Sequence, residues 1–459
     1  MPRKGDKRKR RSDDESSSGA STSKNAKNTK KEETPAIEEV TTIPAVFTKS
    51  GKVLAFGQGD VGQLGLGDEV LERKRPALVK EVDDIKFIQS VCGGMHTVIL
   101  TEDGEVYTFG CNDEGALGRA TSGTDDEEYY ARKVALPDGV KIIQVSAGDS
   151  HTAALSDKGE VYAWGAYRDA SGQMGLTAAS LGKKNEIRKI YPKGDEIEDP
   201  AIKVASGNDH TVILTKDGSI YTNGTGEQGQ LGRRLKECFG HRGGRRGLDF
   251  LLSPQLVRFR RKVRFSDIFT GSFCTFALSS DTNDVYAWGL NNYGQLGSGT
   301  NDNYFNPKVI KPLTEIRNQS KSNQMVIQGG QHHSIMVDGE GIVYSFGRAE
   351  YGRLGLGTDA KETAVPVKVP KLADKKVKDV ACGESVSYAV TEKGQLYSWG
   401  FGTTLQLGVG DDDDIYEPEL VKSKNLDPET DEVLTISGGG QHVSLVVCKK
   451  ENTANGHES

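Results

Sequence analysis

One glycine-rich segment returns seven times along the chain. It reads Phe56-Gly-Gln-Gly-Asp-Val-Gly-Gln-Leu-Gly65 in the first copy and recurs at Phe109–Gly118, Trp164–Gly175, Asn223–Gly232, Trp288–Gly297, Phe346–Gly355 and Trp399–Gly408. Every copy ends in a Leu-Gly or Met-Gly step, and successive copies start 53 to 65 residues apart. That period is too long for a leucine-rich or heptad repeat and suits about four strands per unit, the signature of propeller blades or a solenoid. Upstream of each glycine segment lies a strand pair with a turn, as in His96 to Thr101, Asp103-Gly104 and Val106 to Phe109. An Asp-Gly step between alternating apolar residues is a strong hairpin signal. Short runs around Pro76, Pro254, Pro307, Pro366 and Pro418 read as outer strands, since proline lacks the N–H that a central strand needs.

The two ends of the array complement each other. The last copy, Gly438 to Cys448, stops before its hairpin turn, and the first opens with Phe47 to Gly57, the half that the last one lacks. Pairing of the two ends closes a ring and removes the exposed edges that a solenoid must cap. The expected fold is therefore all-β: a seven-bladed β-propeller over residues 41–448, closed by its terminal strands. Residues 1–40 are expected to form a disordered basic tail and 449–459 a short disordered C-terminus.

Charge divides the chain in the same way. Residues 1–31 hold 11 Lys/Arg against 4 Asp/Glu, so the net charge of -6 hides a basic arm on an acidic body. The arm contains Arg3, Lys4, Lys7, Arg8, Lys9, Arg10 and Arg11, a cluster suited to phosphate contact or to a nuclear import receptor. No apolar run is long enough to span a membrane, so no membrane partner is expected. The scattered cysteines show no Cys-x-x-Cys pair and indicate neither a zinc site nor a disulfide framework.

A recurring slot a few residues after a Gly step is assigned to His96, His151, His210, Cys274, His332, Val386 and His442. Pairs such as Asp209-His210 invite a hydrolase reading. Periodic placement accounts for the histidines more simply, and equivalent slots spread around a ring do not converge on a metal. No phosphate-binding loop is present, and no cofactor is implied. Residues that differ between copies carry more information. Asp60, Asp149, Asp209 and Glu384 would form an acidic rim that attracts a basic protein surface. The third glycine loop is two residues longer than the second, so Tyr167 to Met174 should protrude as a wedge. The longest gap follows Gly232 and carries Arg233, Arg242, Arg245 and Arg246 among other arginines.

The chain resembles the regulator of chromosome condensation family, the propellers that act as nucleotide exchange factors for the Ran GTPase. The resemblance rests on Gly57 to Gly67, Phe109 to Arg119, Ser146-Ala-Gly-Asp-Ser-His-Thr-Ala-Ala-Leu155, Ala205 to His210, Gly329-Gly-Gln-His-His333 and Gly347-Arg-Ala-Glu-Tyr-Gly-Arg-Leu-Gly-Leu-Gly357. It implies a GTPase-binding face of Asp60, His96, Asp149, Arg233 and His442, with Asp209 and His332 governing turnover. It also implies that Tyr167, Arg168, Asp169, Ala170, Ser171, Gly172, Gln173 and Met174 form a wedge against the nucleotide site of the GTPase. Expected partners are Ran, the DNA and histones of the nucleosome, and a nuclear import receptor; the expected location is nuclear chromatin. The DNA and chromatin contacts fall to the basic tail and to Arg242, Arg245 and Arg246. The fifth loop departs from the pattern, with Gly294 where a histidine is expected. In the seventh, Leu405 replaces a glycine, so a different local backbone is expected. The rival reading is a propeller adaptor without exchange activity.

Overall fold

In the computed structural model, the residues described are 43, 47–122, 127–180, 185–233 and 244–451, with side chains of the last stretch from Arg246 onward. They form seven four-stranded antiparallel sheets and one separate two-stranded hairpin. Blade 1 runs Phe87–Cys92, His96–Thr101, Val106–Gly110 and Arg132–Lys133. Five further blades repeat that order, beginning at Ile142, Ala201, Phe265, Met325 and Val377. Blade 7 joins the ends of the chain: Asp431–Gly438 and His442–Lys449 pair with Lys52–Gln58 and Glu72–Leu78. Its register sets Phe56 opposite Val443 and Gly57 opposite His442, so closure by terminal pairing is as expected.

Second strands such as His96–Thr101 and His210–Thr215 are buried at every position, because each blade is sandwiched between two others. Outer strands are largely exposed, and Pro76, Pro307, Pro366 and Pro418 lie within them. Neighbouring blades are locked by the aromatic that opens six of the seven glycine segments. Trp164, Trp288, Trp399, Phe56, Phe109 and Phe346 are all fully buried. The Leu-Gly glycine of the preceding blade packs beneath each ring: a Cβ on Gly118 would lie 2.8 Å from Trp164 Nε1, and one on Gly355 2.7 Å from Trp399 Nε1. Their φ values of 66° and 68° also favour glycine.

A second lock lies nearer the axis. Thr97, Thr152, Thr275, Ser334 and Ser387 donate through their hydroxyls to the carbonyls of Gln63, Ala116, Gln230, Gln295 and Arg353, at 2.8 to 3.0 Å. Each of these carbonyls belongs to the residue before a Leu-Gly step in the preceding blade. A hydroxyl whose proton is so engaged can only accept from the next group. The imidazole Nε2–H of His96 therefore donates to Thr152, that of His333 to Ser387 and that of His442 to Thr97, at 2.8 to 3.0 Å. His210 contacts Thr275 in the same way at 3.0 Å. Burial holds the imidazoles neutral, lowering His96 to about 4 and His151, His210, His333 and His442 to about 3. Each such bond contributes roughly 1 kcal/mol net.

The fifth slot belongs to His333, which begins the second strand of its blade. The expectation that His332 fills it is corrected: His332 is the preceding rim residue and is only partly buried. Two seams lack histidine and are rebuilt. Val386 faces a blade whose hydroxyl position is the buried Val443, and the free carbonyl of Gln406 accepts from Tyr388 Oη at 2.8 Å instead. Cys274 fills the slot of blade 4 as a buried thiol. Leu405 takes φ 60°, the left-handed turn that glycine takes in the other loops, so the expected backbone departure does not occur. Gly294 is the glycine of that same turn, with φ 77° and a Cβ position 2.4 Å from Ala364 Cα; a histidine does not fit there. Two helices, Gly244–Leu252 (α1) and Lys311–Gln319 (α2), were not anticipated.

The innermost strands end in glycines that abut one another around the axis. A Cβ on Gly148 would meet His151 Cε1 at 2.1 Å and Gly207 O at 2.5 Å. Because both obstacles are held by the lock itself, Gly148→Ala should destabilise the ring by about 1–3 kcal/mol. Urea unfolding monitored by tryptophan fluorescence should show a lower midpoint; an unchanged one would refute this packing.

Candidate functional site: the loop-bearing rim

In an antiparallel blade, the loop from first to second strand and the loop from third to fourth emerge on the same side. The glycine loops and the short loops before each histidine slot therefore share one rim. Backbone hydrogen bonds run between blades along it: Gly94 N to Asp149 O (3.1 Å), Asp149 N to Asn208 O (2.7 Å), Asn208 N to Ser272 O (3.0 Å), Gln331 N to Glu384 O (3.1 Å) and Gly440 N to Gly94 O (3.1 Å). These bonds fix Asp149, Asp209, His332 and Glu384 on a rigid circle. The circle surrounds a central channel of about 370 Å³ whose lining includes Asp149 and Glu384. Asp60 is exposed on the loop of blade 7.

Blade 2 carries the separate hairpin, Tyr167–Asp169 paired with Gly172–Gly175. Its base is buried: Tyr167 and Met174 are fully enclosed, so the protruding wedge is 168–173 rather than 167–174. Tyr167 substitutes for the glycine-loop carbonyl of other seams. Its hydroxyl bonds Thr211 Oγ1 at 2.9 Å and accepts from Asn223 Nδ2 at 2.9 Å, and its ring lies 4.5 Å from that of His151. This explains why Asn223 stands where other repeats have an aromatic. The tip is clamped by three carboxylates. Asp209 Oδ1 accepts from Arg168 N (2.7 Å), Glu227 from Ala170 N (3.2 Å), and Glu114 pairs with the Arg168 guanidinium (2.6 Å). Glu114 and Glu227 were not singled out in the sequence; both sit in ordinary glycine loops, and only the fold brings them to the wedge.

Electrostatically the rim holds acids that would sooner be neutral. Burial, reinforced by the charge on Asp149, raises the Asp209 carboxyl to about 7, against the lowering effect of the Arg168 N–H. Burial likewise raises Asp149, and burial with the Asp149 charge raises Glu384. A cation arriving from a partner would relieve both costs.

Several expected contact residues lie too deep for a partner to touch. His96 and His442 are the seam donors described above, and the structure corrects their placement on the face. Arg233 is also buried, beneath α1, donating to Phe250 O (3.1 Å) and Leu251 O (3.4 Å) at the end of that helix, where a cation offsets the helix dipole. Burial lowers its guanidinium to about 10. Arg246 is exposed on α1. Arg3, Lys4, Lys7 to Arg11, Arg242 and the Arg245 side chain lie outside the described residues.

Residues 52–445 match the RCC1-like domain. The Xenopus laevis regulator of chromosome condensation is 49% identical over 415 residues, covering 90% of this chain and 93% of that protein. The chain belongs to the regulator of chromosome condensation family. The human member of this chromatin-related family is also 49% identical, over 88% of this chain and 93% of its own length. The guanine nucleotide exchange factor SRM1 of Saccharomyces cerevisiae is 32% identical, covering 85% of this chain and 86% of that one. Among solved structures, Prp20p of Saccharomyces cerevisiae, described with its binding to Gsp1p and histones, superposes with a TM-score of 0.77 at 30% identity, covering 90% of this chain and 94% of that one.

The Asp209 carboxyl makes a signed prediction. Its folded pKa lies above the unfolded value, so the native state holds the extra proton between pH 4 and 7, and its contribution to stability falls as pH rises through that window. Asp209→Asn keeps the acceptor for Arg168 N without the charge. Thermal unfolding should find Asp209→Asn at least as stable as the wild type at pH 8, with the advantage disappearing near pH 4. The histidines work in the opposite sense, since their lowered values weaken both proteins alike as pH falls below 6.5.

Proposed function

We propose that this protein is a guanine nucleotide exchange factor for a Ran-type GTPase, acting on chromatin in the nucleus. The observation that carries the reading is the hairpin at 168–173. It projects from an acidic rim, is fixed at its base by Tyr167 and is clamped by Asp209, Glu114 and Glu227. A rigid projection on a face that attracts basic surfaces can enter a partner's nucleotide site and compete there without rearranging itself.

Exchange then follows from differential binding. The rim, through Asp60, Asp149 and Glu384, docks the GTPase. The hairpin, held by Asp209, displaces its contacts to phosphate and magnesium, and His332 lies on the same face. Coupling is reciprocal, so a factor that weakens nucleotide must itself be expelled when nucleotide rebinds. No covalent bond changes, and the surrounding nucleotide pool sets the direction. The basic tail, with Arg242, Arg245 and Arg246, supplies the contacts to DNA and histones, and the tail also serves an import receptor. That the relative Prp20p is described as binding Gsp1p and histones, and has also been solved bound to Kap60, supports this set of partners.

Release of labelled GDP from Ran tests the reading: catalytic amounts of the protein should accelerate it, and an unchanged rate would refute it. Asp209→Ala loosens the hairpin and should lower the saturating rate about tenfold or more; unaltered rate and half-saturation would remove Asp209 from the mechanism. Deleting residues 1–31 should weaken nucleosome binding at low salt and flatten its salt dependence. Equal binding by the truncated protein would refute the tail assignment.

A further inference from the structure

The rim is acidic over blades 2, 3 and 6, but between blades 4 and 6 it holds the opposite charge. Arg353 occupies the position before Leu-Gly where the loops at Gln63, Gln230, Gln295 and Gln406 carry a neutral amide. Those amides are satisfied locally: Gln63 and Gln230, for example, accept from Val61 N and Gln228 N. Arg353 is only 1% exposed. Its Nε donates to Glu350 O at 2.8 Å, but its Nη1 is buried with no partner.

Two neighbours share the same deficiency. Arg348 Nε and His332 Nδ1 are also buried and unpartnered. The three groups gather around aromatic rings. The His332 ring lies 4.9 Å from Tyr293, the Arg348 guanidinium 4.8 Å over Tyr293, and the Arg353 guanidinium 5.4 Å over Tyr351. Glu350 pairs with Arg348, and no carboxylate forms an ion pair with Arg353 among the described residues. One positive charge is left over. Tyr351, 44% exposed, holds a left-handed backbone at φ 61°, which for a bulky side chain is strained.

An uncompensated, under-bonded guanidinium in a protein interior is costly. Water can fill the vacant hydrogen bonds but cannot cancel the charge. A planar oxyanion does both: the accessible Arg348 guanidinium suits its paired oxygens, and the anion's charge offsets that of Arg353 behind. We propose that this notch, where the part-exposed Arg348 and His332 lie against Tyr293 with the buried charge of Arg353 beside them, is a binding site for a carboxylate side chain presented by the docked GTPase. It complements the acidic contacts of the other blades: the partner would offer cations to Asp60 and Asp149 and one acid here. Opposite charges at two points of a ring fix rotation about its axis, which a uniformly acidic rim cannot do. The inference rests on the exchange-factor reading, and its test separates the two.

Arg353→Gln restores the amide found in the other loops, and Arg348→Ala removes the more accessible guanidinium. Each should raise the GTPase concentration for half-maximal GDP release about tenfold, with no fall in thermal midpoint. Inorganic phosphate at constant ionic strength should compete at the notch, raising half-saturation for the wild type but not for Arg353→Gln. Unchanged half-saturation in both variants, with or without a raised thermal midpoint, would overturn the proposal. Failure of the wild type to accelerate release would instead defeat the exchange reading. The notch is then read directly by phosphate raising the wild-type thermal midpoint and not that of Arg353→Gln; no such difference would overturn it too.

Discussion

The relay of carbonyl, hydroxyl and imidazole that crosses between blades is the interaction on which the structure depends. A propeller has no core shared by all its parts, so each sheet must be fixed to the next by contacts with direction as well as area. Here the carbonyl before a Leu-Gly step accepts from a Thr or Ser hydroxyl of the next blade, and that hydroxyl accepts from the histidine of the blade before its own. A carbonyl and an imidazole of one blade thereby hold one hydroxyl of the next. The glycines beside the histidines let the backbones approach closely enough for the relay to form.

Where the relay is altered, the alteration is informative. At the seam between blades 6 and 7 both members are valines; Tyr388 satisfies the Gln406 carbonyl from within blade 6, and the Gln406 amide crosses to Gly439 O and His442 O of blade 7. At the seam of blades 2 and 3 the glycine-loop carbonyl gives way to the Tyr167 hydroxyl, because the loop has been converted into the projecting hairpin. A projecting element was thus obtained by changing which atom satisfies Thr211, leaving the ring intact. The Asp209 that clamps the hairpin is bonded in sequence to His210, one of the relay histidines. Seam residues and rim residues alternate along a single loop.

That adjacency determines what could be read from the sequence. Period, blade number and closure were legible because a repeat imposes the same turn and the same buried aromatic each time, and the two incomplete ends matched. The acidic rim was legible because Asp149 and Asp209 break the repeat. The roles of His96 and His442 were not, since a histidine beside an acidic rim looks the same whether it faces solvent or the seam; only burial separates them. The Gly-Gly-Gln-His-His string of blade 5 allowed a slip of one residue, and a strand register settled it in favour of His333. Helix α1 was hidden in an arginine-rich stretch whose apolar positions, Leu248, Leu251 and Leu252, were outweighed by charge. Glu114 and Glu227 lacked any local signal, because their partner Arg168 and Ala170 backbone is more than fifty residues away.

If a rigid, rim-mounted hairpin drives exchange, the protein must distinguish states of its partner, for a factor that binds loaded and empty GTPase equally shifts nothing. The most direct measurement is the dissociation constant of the full chain for nucleotide-free Ran against GDP-loaded Ran in the same buffer. A preference of about 100-fold or more for the empty form, roughly 2.7 kcal/mol, is predicted. Equal affinities for the two forms would contradict it.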